Sequence, residues 1–228
     1  MIISHKYRFI FIKTKKTAGT SIEVFLSQCC GEEDIVTPIW PPVELHHARN
    51  YRGFWNPIPE ISQNRGRGII GTFKNLIQRN KYWNHIPASL VRKRTAKKIW
   101  ASYFKFCVER NPWDKTLSHY HMVNDRTGGG VSLYEYIEKG NFCFNFPKYT
   151  DDSGFVLVDK ILKYETLMDE LRGVFKGLDI QFAGSLGVRA KFEHRKDRRP
   201  YQDIFSDRQR DIIQTAFRRE IEIHGYEF

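Results

Sequence analysis

Cysteine is scarce in this sequence: four residues, at Cys29, Cys30, Cys107 and Cys143, with no C-x-x-C pair among them. That argues against a disulfide framework and makes reduced thiols in a cytoplasmic setting the expectation. Long apolar runs are missing as well. Phe9-Ile10-Phe11-Ile12 is far too short to span a bilayer, and Met1 to Lys13 holds no small-residue cleavage site, so neither a membrane span nor a secretory leader is expected. There is no internal repeat, and His46, His47, His119 and His121 fall into no zinc spacing, so no metal site is expected. Negative charge is in deficit, with 26 acidic against 37 basic side chains.

The resulting net charge of +11 calls for an anionic partner: nucleic acid, a membrane surface, a phosphate-bearing nucleotide or an acidic polymer. With 41% hydrophobic and 14% aromatic residues, the 228-residue chain reads as one folded domain spanning 1–228 with a sizeable core.

Periodicity places the elements. Residues 7–13 are aromatic and β-branched and read as a strand. A polar loop follows, and Ile22, Phe25, Leu26 and Cys29 then recur at helical spacing. Ser102 to Glu109 alternates like a second strand and runs into Arg110-Asn111-Pro112-Trp113, where Asn caps a helix and Pro fits its first turn. Phe155 to Lys163 is a third strand candidate, followed by a helix carrying Leu167, Leu171, Val174 and Phe175. A last helix opens on the capping-box pair Ser206 and Gln209 and stops at Gly225. The alternation predicts an α/β fold with a P-loop-like, mainly parallel sheet flanked by helices. Residues 46–84 read as an irregular insertion and Asn124 to Val131 as a flexible loop.

Two segments carry chemistry. The loop Lys13-Thr14-Lys15-Lys16-Thr17-Ala18-Gly19-Thr20-Ser21 sits between a strand and a helix, where small residues let backbone N–H groups face an anion. It is not a Walker A loop, because its lysines precede Gly19. The second is Arg110-Asn111-Pro112-Trp113-Asp114 on to Ser118, where an arginine at a strand end can clamp a phosphate and Ser118 lies about two turns along the helix; the alternative, favoured for this segment alone, is that Arg110 pairs with Asp114 and Ser118 faces solvent. Gly66-Arg67-Gly68-Ile69-Ile70-Gly71 matches G-x-G-x-x-G, but no strand precedes it and no acidic residue follows at the required distance, so a dinucleotide site is not expected.

Together the two segments resemble the carbohydrate-type sulfotransferases that use 3′-phosphoadenosine 5′-phosphosulfate (PAPS), a group including heparan-sulfate 2-O-sulfotransferases and bacterial relatives. Lys15 to Ser21 matches the family's P-K-T-G-G-T-S loop, with Lys15 where proline is usual. Cys107 to Lys115, with Ser118 and Tyr120, matches its F-V-R-N-P-W-D-R-x-x-S-x-Y segment, with Glu109 crowding in before Arg110. His85-Ile86-Pro87-Ala88, Trp100 to Phe106, Lys163 to Leu167 and the terminal His224-Gly225-Tyr226-Glu227-Phe228 extend the likeness along nearly the whole chain.

The resemblance implies sulfuryl transfer to an acceptor hydroxyl, releasing adenosine 3′,5′-bisphosphate without a metal. The basic surplus and the 46–84 insertion, with Tyr51, Trp55, Trp83 and nearby Trp40, suit a saccharide as that acceptor, with a small alcohol, a lipid headgroup and a peptide tyrosine as the alternatives. Lys15, Lys16, Thr17, Ala18, Gly19, Thr20 and Ser21 would hold the 5′-phosphosulfate, and Arg110 and Ser118 the 3′-phosphate. Lys16 would stabilise the leaving phosphate and His85 would take the acceptor's proton, with His46 or His47 as the alternative base. A basic loop before the last helix adds Lys196, Arg198 and Arg199 as 3′-phosphate contacts. On this reading nucleic acid is not a partner. Two other classes remain: a P-loop nucleotide kinase, and a nucleic-acid-binding module built on the basic stretch Lys74 to Lys98.

Overall fold

The computed structural model describes residues 1–63, 66–187, 197 and 199–228, with Arg67 as backbone alone. Short runs rich in Ile, Val and Phe form its five strands: β1 (Ile2–Ser4), β2 (Phe9–Phe11), β3 (Ile35–Val36), β4 (Phe104–Glu109) and β5 (Lys160–Lys163). They pair in the order β3-β1-β2-β4-β5. β1 is antiparallel to both β2 and β3, whereas β2–β4 and β4–β5 are parallel. The sheet is therefore mixed, which corrects the expectation of a mainly parallel one. A short turn after β1 sends the chain straight back as β2, and a connection that short permits only an antiparallel neighbour.

Both faces of the sheet are covered, so side chains of either parity are buried. Phe9, Phe11, Phe106 and Val108 pack against Ile22 and Leu26 of α1 (Gly19–Cys29) and against Leu171, Val174 and Phe175 of α9 (Leu167–Gly177). Ile10, Ile12 and Cys107 point the other way. They meet Tyr82, Ile86 and Val91 around α4 (Ala88–Arg94) and Phe146 and Tyr149 of α8 (Phe146–Tyr149). Each fully buried phenylalanine contributes about 2–3 kcal/mol. A third cluster joins α6 (Pro112–Arg126) and α7 (Leu133–Glu138) to the C-terminal α10 (Asp207–Ala216) through Trp113, Leu117, Ile137, Ile213 and Phe217. Between α4 and β4 lies α5 (Lys97–Ser102).

Local signals set several boundaries. Asn111 caps α6, its side chain accepting from the Trp113 amide at 3.1 Å. Ser206 and Gln209 form the reciprocal capping box of α10. The last helix breaks at buried Phe217 and resumes as α11 (Arg218–His224), ending at Gly225 in the left-handed region, φ 60°. Two expectations need correcting. α6 runs on to Arg126, into the stretch read as a loop. The insertion at 46–84 is not wholly irregular, because it carries α2 (Ile58–Ile61) and α3 (Arg67–Ile77). The G-x-G-x-x-G glycines open α3, behind α2 rather than behind a strand. The insertion is fastened by buried Arg94, whose guanidinium pairs with buried Glu60 at 2.6 Å and lies 3.9 Å and 4.8 Å from the Trp55 and Trp83 rings.

Among the described residues, no helix is long and apolar enough to cross a membrane. The four cysteines are free thiols.

Candidate functional site

Because β2 and β4 are parallel neighbours, the segments leaving their C-terminal ends emerge side by side. Ligand sites of open α/β sheets gather at such ends. The loop from Lys13 to Ala18 leaves β2, and the Arg110 segment leaves β4. They touch: Arg110 Nη1 donates to the Lys16 carbonyl at 3.0 Å.

The loop is held in an unusual shape. Lys16 and Ala18 both adopt left-handed φ, 62° and 57°, which costs a non-glycine residue about 1 kcal/mol or more. Such kinks turn successive backbone N–H groups toward one side, the geometry of anion-binding concavities. Ala18 offers no side-chain cap to α1, and the first turn of that helix carries no acidic residue to offset its positive end. Gly19 is required for a separate reason. A Cβ there would lie 2.8 Å from Lys13 Cγ and 3.2 Å from the Thr14 carbonyl.

Three contacts hold the loop from behind. Buried Lys13 pairs with buried Glu23 of α1 at 2.5 Å, so this lysine braces the helix instead of facing a ligand. Thr14 and Thr17 share a hydroxyl–hydroxyl bond of 2.8 Å. Asn145, fully buried, accepts from the Lys15 amide at 2.8 Å and donates to the Lys15 carbonyl at 3.0 Å. The same amide group donates to Glu109 Oε1 at 3.1 Å. Glu109 also accepts from Lys115 Nζ, the Arg110 amide and Tyr149 Oη. Its side chain is thus turned into the interior, and its place before Arg110 does not displace the guanidinium.

Arg110 is itself mostly buried. Its Nε donates to Asp114 Oδ2 at 2.8 Å, its Nη2 stands 2.7 Å from the same oxygen in an ion pair, and its guanidinium lies 4.1 Å from the Tyr164 ring. Two of its five N–H groups therefore donate to protein acceptors, and Nη2 completes the ion pair. Ser118 is half-buried one turn beyond Asp114, on the same face of α6. Other stretches of the resemblance meet at the neighbouring residue. Glu165 accepts from the Asn111 amide at 2.6 Å, and Asn111 Nδ2 donates to Tyr201 Oη and to the Glu227 carbonyl.

His85 lies against the root of the loop, with Nδ1 at 3.1 Å from the Lys13 carbonyl. A carbonyl only accepts, so Nδ1 carries the proton and Nε2 keeps its lone pair. Burial first, and then the positive charge of Lys13, hold the imidazole at about 3, far below its ordinary range. The expectation of a group titrating near neutral pH is thus corrected: His85 is a neutral acceptor across that range. His85 also has a left-handed φ of 59°, and Lys148 Nζ donates to its carbonyl.

The alternative bases stand elsewhere. His46 Nε2 is bound to the Thr37 carbonyl at 2.9 Å, and His47 is exposed beside Ser27 and Gln28 at the far end of α1. His119 was not singled out as a base by sequence. Its ring bonds Tyr136 Oη at 2.6 Å, and burial followed by the charges of Lys16 and Lys15 holds it at about 4. It therefore stands within electrostatic reach of the loop.

Lys15 is exposed and Lys16 half-buried, while Thr20 and Ser21 are buried within the first turn of α1. Arg199 is exposed and pairs with Asp197 at 2.7 Å. Lys196 and Arg198 lie outside the described residues, although Tyr201, just downstream of them, docks on Asn111. Among the described residues no cluster of three His, Cys, Asp or Glu side chains is arranged to hold a metal ion. A cleft of about 530 Å³ opens between α3, α4 and α8, lined by Glu60, Trp83, Lys93, Arg94, Phe146 and Arg219, and none of its walls belongs to the loop. Basic groups thus gather at the loop: Lys15 and Lys16 within it, Arg110 on the Lys16 carbonyl, His85 on the Lys13 carbonyl, and His119 within reach of the charges of Lys16 and Lys15.

No protein-family model matches the chain. Over 101 residues, 42% of its length, it is 36% identical to an uncharacterized protein of Archaeoglobus fulgidus, of which it covers 83%. The chain belongs to the same family as that archaeal protein.

Proposed function

We propose that the protein is a sulfotransferase that moves a sulfuryl group from PAPS to an acceptor hydroxyl, that of a saccharide. One observation carries the reading. The loop that resembles a phosphosulfate cradle and the arginine that resembles a 3′-phosphate clamp lie in direct contact, through the bond from Arg110 to the Lys16 carbonyl. Two anion-holding segments on one rim suit a nucleotide phosphorylated at both ends.

In this scheme the start of α1 and the loop amides receive the 5′-phosphosulfate, and Arg110 and Ser118 the 3′-phosphate. The acceptor oxygen attacks sulfur in line, and the bond between sulfur and the bridging oxygen of the 5′-phosphate breaks. Lys16 stabilises the charge left on that phosphate. The hydroxyl proton passes to His85 Nε2, the nitrogen that its bond to Lys13 leaves as acceptor. A base held at about 3 is weak in the empty site. The negative charge of the donor opposes the lysines that depress it, so donor binding raises His85 toward useful basicity.

Calorimetry and a transfer assay test the proposal together. Adenosine 3′,5′-bisphosphate is expected to bind tightly with magnesium chelated, and labelled donor to modify a saccharide. Lys16→Ala and His85→Asn are expected to abolish transfer. Asparagine tolerates the left-handed φ at position 85 and still has a donor for the Lys13 carbonyl, but it lacks a basic nitrogen. Tight binding of ATP with magnesium and none of the bisphosphate would overturn the proposal in favour of a kinase. Loss of transfer in His119→Asn but not in His85→Asn would move the proton to the second imidazole.

A further inference from the structure

Helix α3 carries apolar side chains on two sides. In a helix lying on a soluble domain the apolar stripe faces the core. Here Ile69 and Leu76 are half-buried on either side of buried Thr72, Gly68, Gly71, Thr72 and Asn75 line the cleft above α4, and Thr72 Oγ1 bonds buried Glu60 at 3.2 Å. The opposite stripe, spaced i, i+3, i+7, is Ile70, Phe73 and Ile77, which are 69%, 48% and 82% exposed. Three large apolar side chains along a helix of eleven residues form a continuous band, unlike scattered surface leucines.

The charge around this band has one sign. From residue 61 to 108 the sequence holds eleven Lys or Arg and no Asp or Glu, which by number equals the whole net charge of +11. Lys74 lies exposed within the band, and exposed Arg79 follows it, stacked 4.8 Å over the exposed Phe54 ring. Glu60, Asp151 and Asp152 line the cleft on the side of Gly68, Gly71 and Thr72, away from the stripe, whereas Lys74 and Arg79 flank it; an exposed apolar stripe with cationic flanks is the composition of helices that lie in the interface of an anionic bilayer. A second copy of this chain would bring like charges together around the same stripe, which weighs against self-association.

We infer that α3 docks the protein onto an anionic lipid surface, with Ile70, Phe73 and Ile77 entering the headgroup boundary and Lys74 and Arg79 on the lipid charges. Docking is peripheral and reversible, because three side chains supply far less apolar area than a spanning segment.

Vesicle flotation with the full chain tests this. Wild type is expected to float with vesicles of phosphatidylcholine and phosphatidylserine, and to be released as salt rises above about 0.1 M, where screening sets in. It is expected to bind pure phosphatidylcholine poorly. The triple variant Ile70→Ser, Phe73→Ser, Ile77→Ser keeps every charge and alters only exposed positions. It is expected to retain the wild-type melting curve and lose binding about tenfold or more. Equal flotation of the triple variant would overturn the inference, leaving diffuse surface charge as the cause. So would failure of wild type to float. Concentration-dependent dimerisation abolished by the triple variant, without vesicle binding, would assign the stripe to a second copy instead. Bisphosphate binding should be unchanged in the variant, so this test and that of the catalytic reading fail independently.

Discussion

Asn145 is the residue whose loss should separate a formed loop from an unformed one. Asn145→Leu keeps the branching of the side chain and removes three hydrogen bonds: two to the Lys15 backbone, at 2.8 and 3.0 Å, and one to Glu109 at 3.1 Å. The Lys15 backbone is near solvent and can recruit water, so those two bonds are worth about 1 kcal/mol each or less. Glu109 is fully buried and keeps Lys115, Tyr149 and the Arg110 amide, yet one of its lone pairs loses a donor in a dry site, at about 1–2 kcal/mol. The total is about 1–4 kcal/mol. Urea unfolding of the variant measures it directly. The functional consequence is read separately, by calorimetry with adenosine 3′,5′-bisphosphate. A loop no longer pinned behind Lys15 must be ordered by the ligand, so affinity should fall by about tenfold. Wild-type stability in the variant would refute the accounting of the buried bonds. Lost stability with undiminished affinity would show that the loop does not hold the nucleotide.

Gly19→Ala should force its new methyl against Lys13 and the Thr14 carbonyl, lowering the melting temperature by the equivalent of about 1–3 kcal/mol and weakening bisphosphate binding together. Arg94→Leu strands the Glu60 carboxylate in the interior and should cost about 3–5 kcal/mol in urea unfolding, whereas the paired change Arg94→Leu, Glu60→Leu should recover much of it. Acid should destabilise the protein through its histidines. His85 at about 3 and His119 at about 4 bind protons more readily when unfolded, so their contribution is complete above about pH 6.5 and is lost as pH falls toward those values. The slope approaches an upper limit of about 1.4 kcal/mol per pH unit for each, reduced by the water both rings retain. In His85→Asn unfolding between about pH 6.5 and 4 should depend less on pH. An unchanged slope would contradict the burial of that ring.

Sequence revealed what short-range chemistry decides. The Asn111 cap, the Ser206–Gln209 box and the stop at Gly225 depend on neighbours within four residues, and all three are present. The strand–loop–helix around Lys16 and the strand leading to Arg110 were likewise legible, because alternating apolar residues mark their ends. Long-range contacts were not. Nothing in the run Asn141-Phe142-Cys143-Phe144-Asn145 says that its last residue pins a loop 130 positions earlier. The antiparallel β1 escaped notice because three residues are too few to show a period. α3 was hidden for another reason: its apolar stripe sits among glycines and faces outward, so an outlook trained on buried stripes reads it as loop. The depressed basicity of His85 arises from burial and from Lys13, 72 positions away in the chain, which no local motif encodes.

Glu109 has a consequence for how this chain can vary. One carboxylate receives Lys115, Asn145, Tyr149 and the amide that begins the arginine segment. Removing any single partner strands a polar side-chain atom away from water, whereas exchanging all four side chains for an apolar cluster leaves only backbone groups, the Arg110 amide and those of Lys15, to be satisfied otherwise. Drift at these positions should therefore be concerted: relatives keep the quartet of side chains entire or replace it entire, and a chimera that mixes the two solutions should fold worse than either parent.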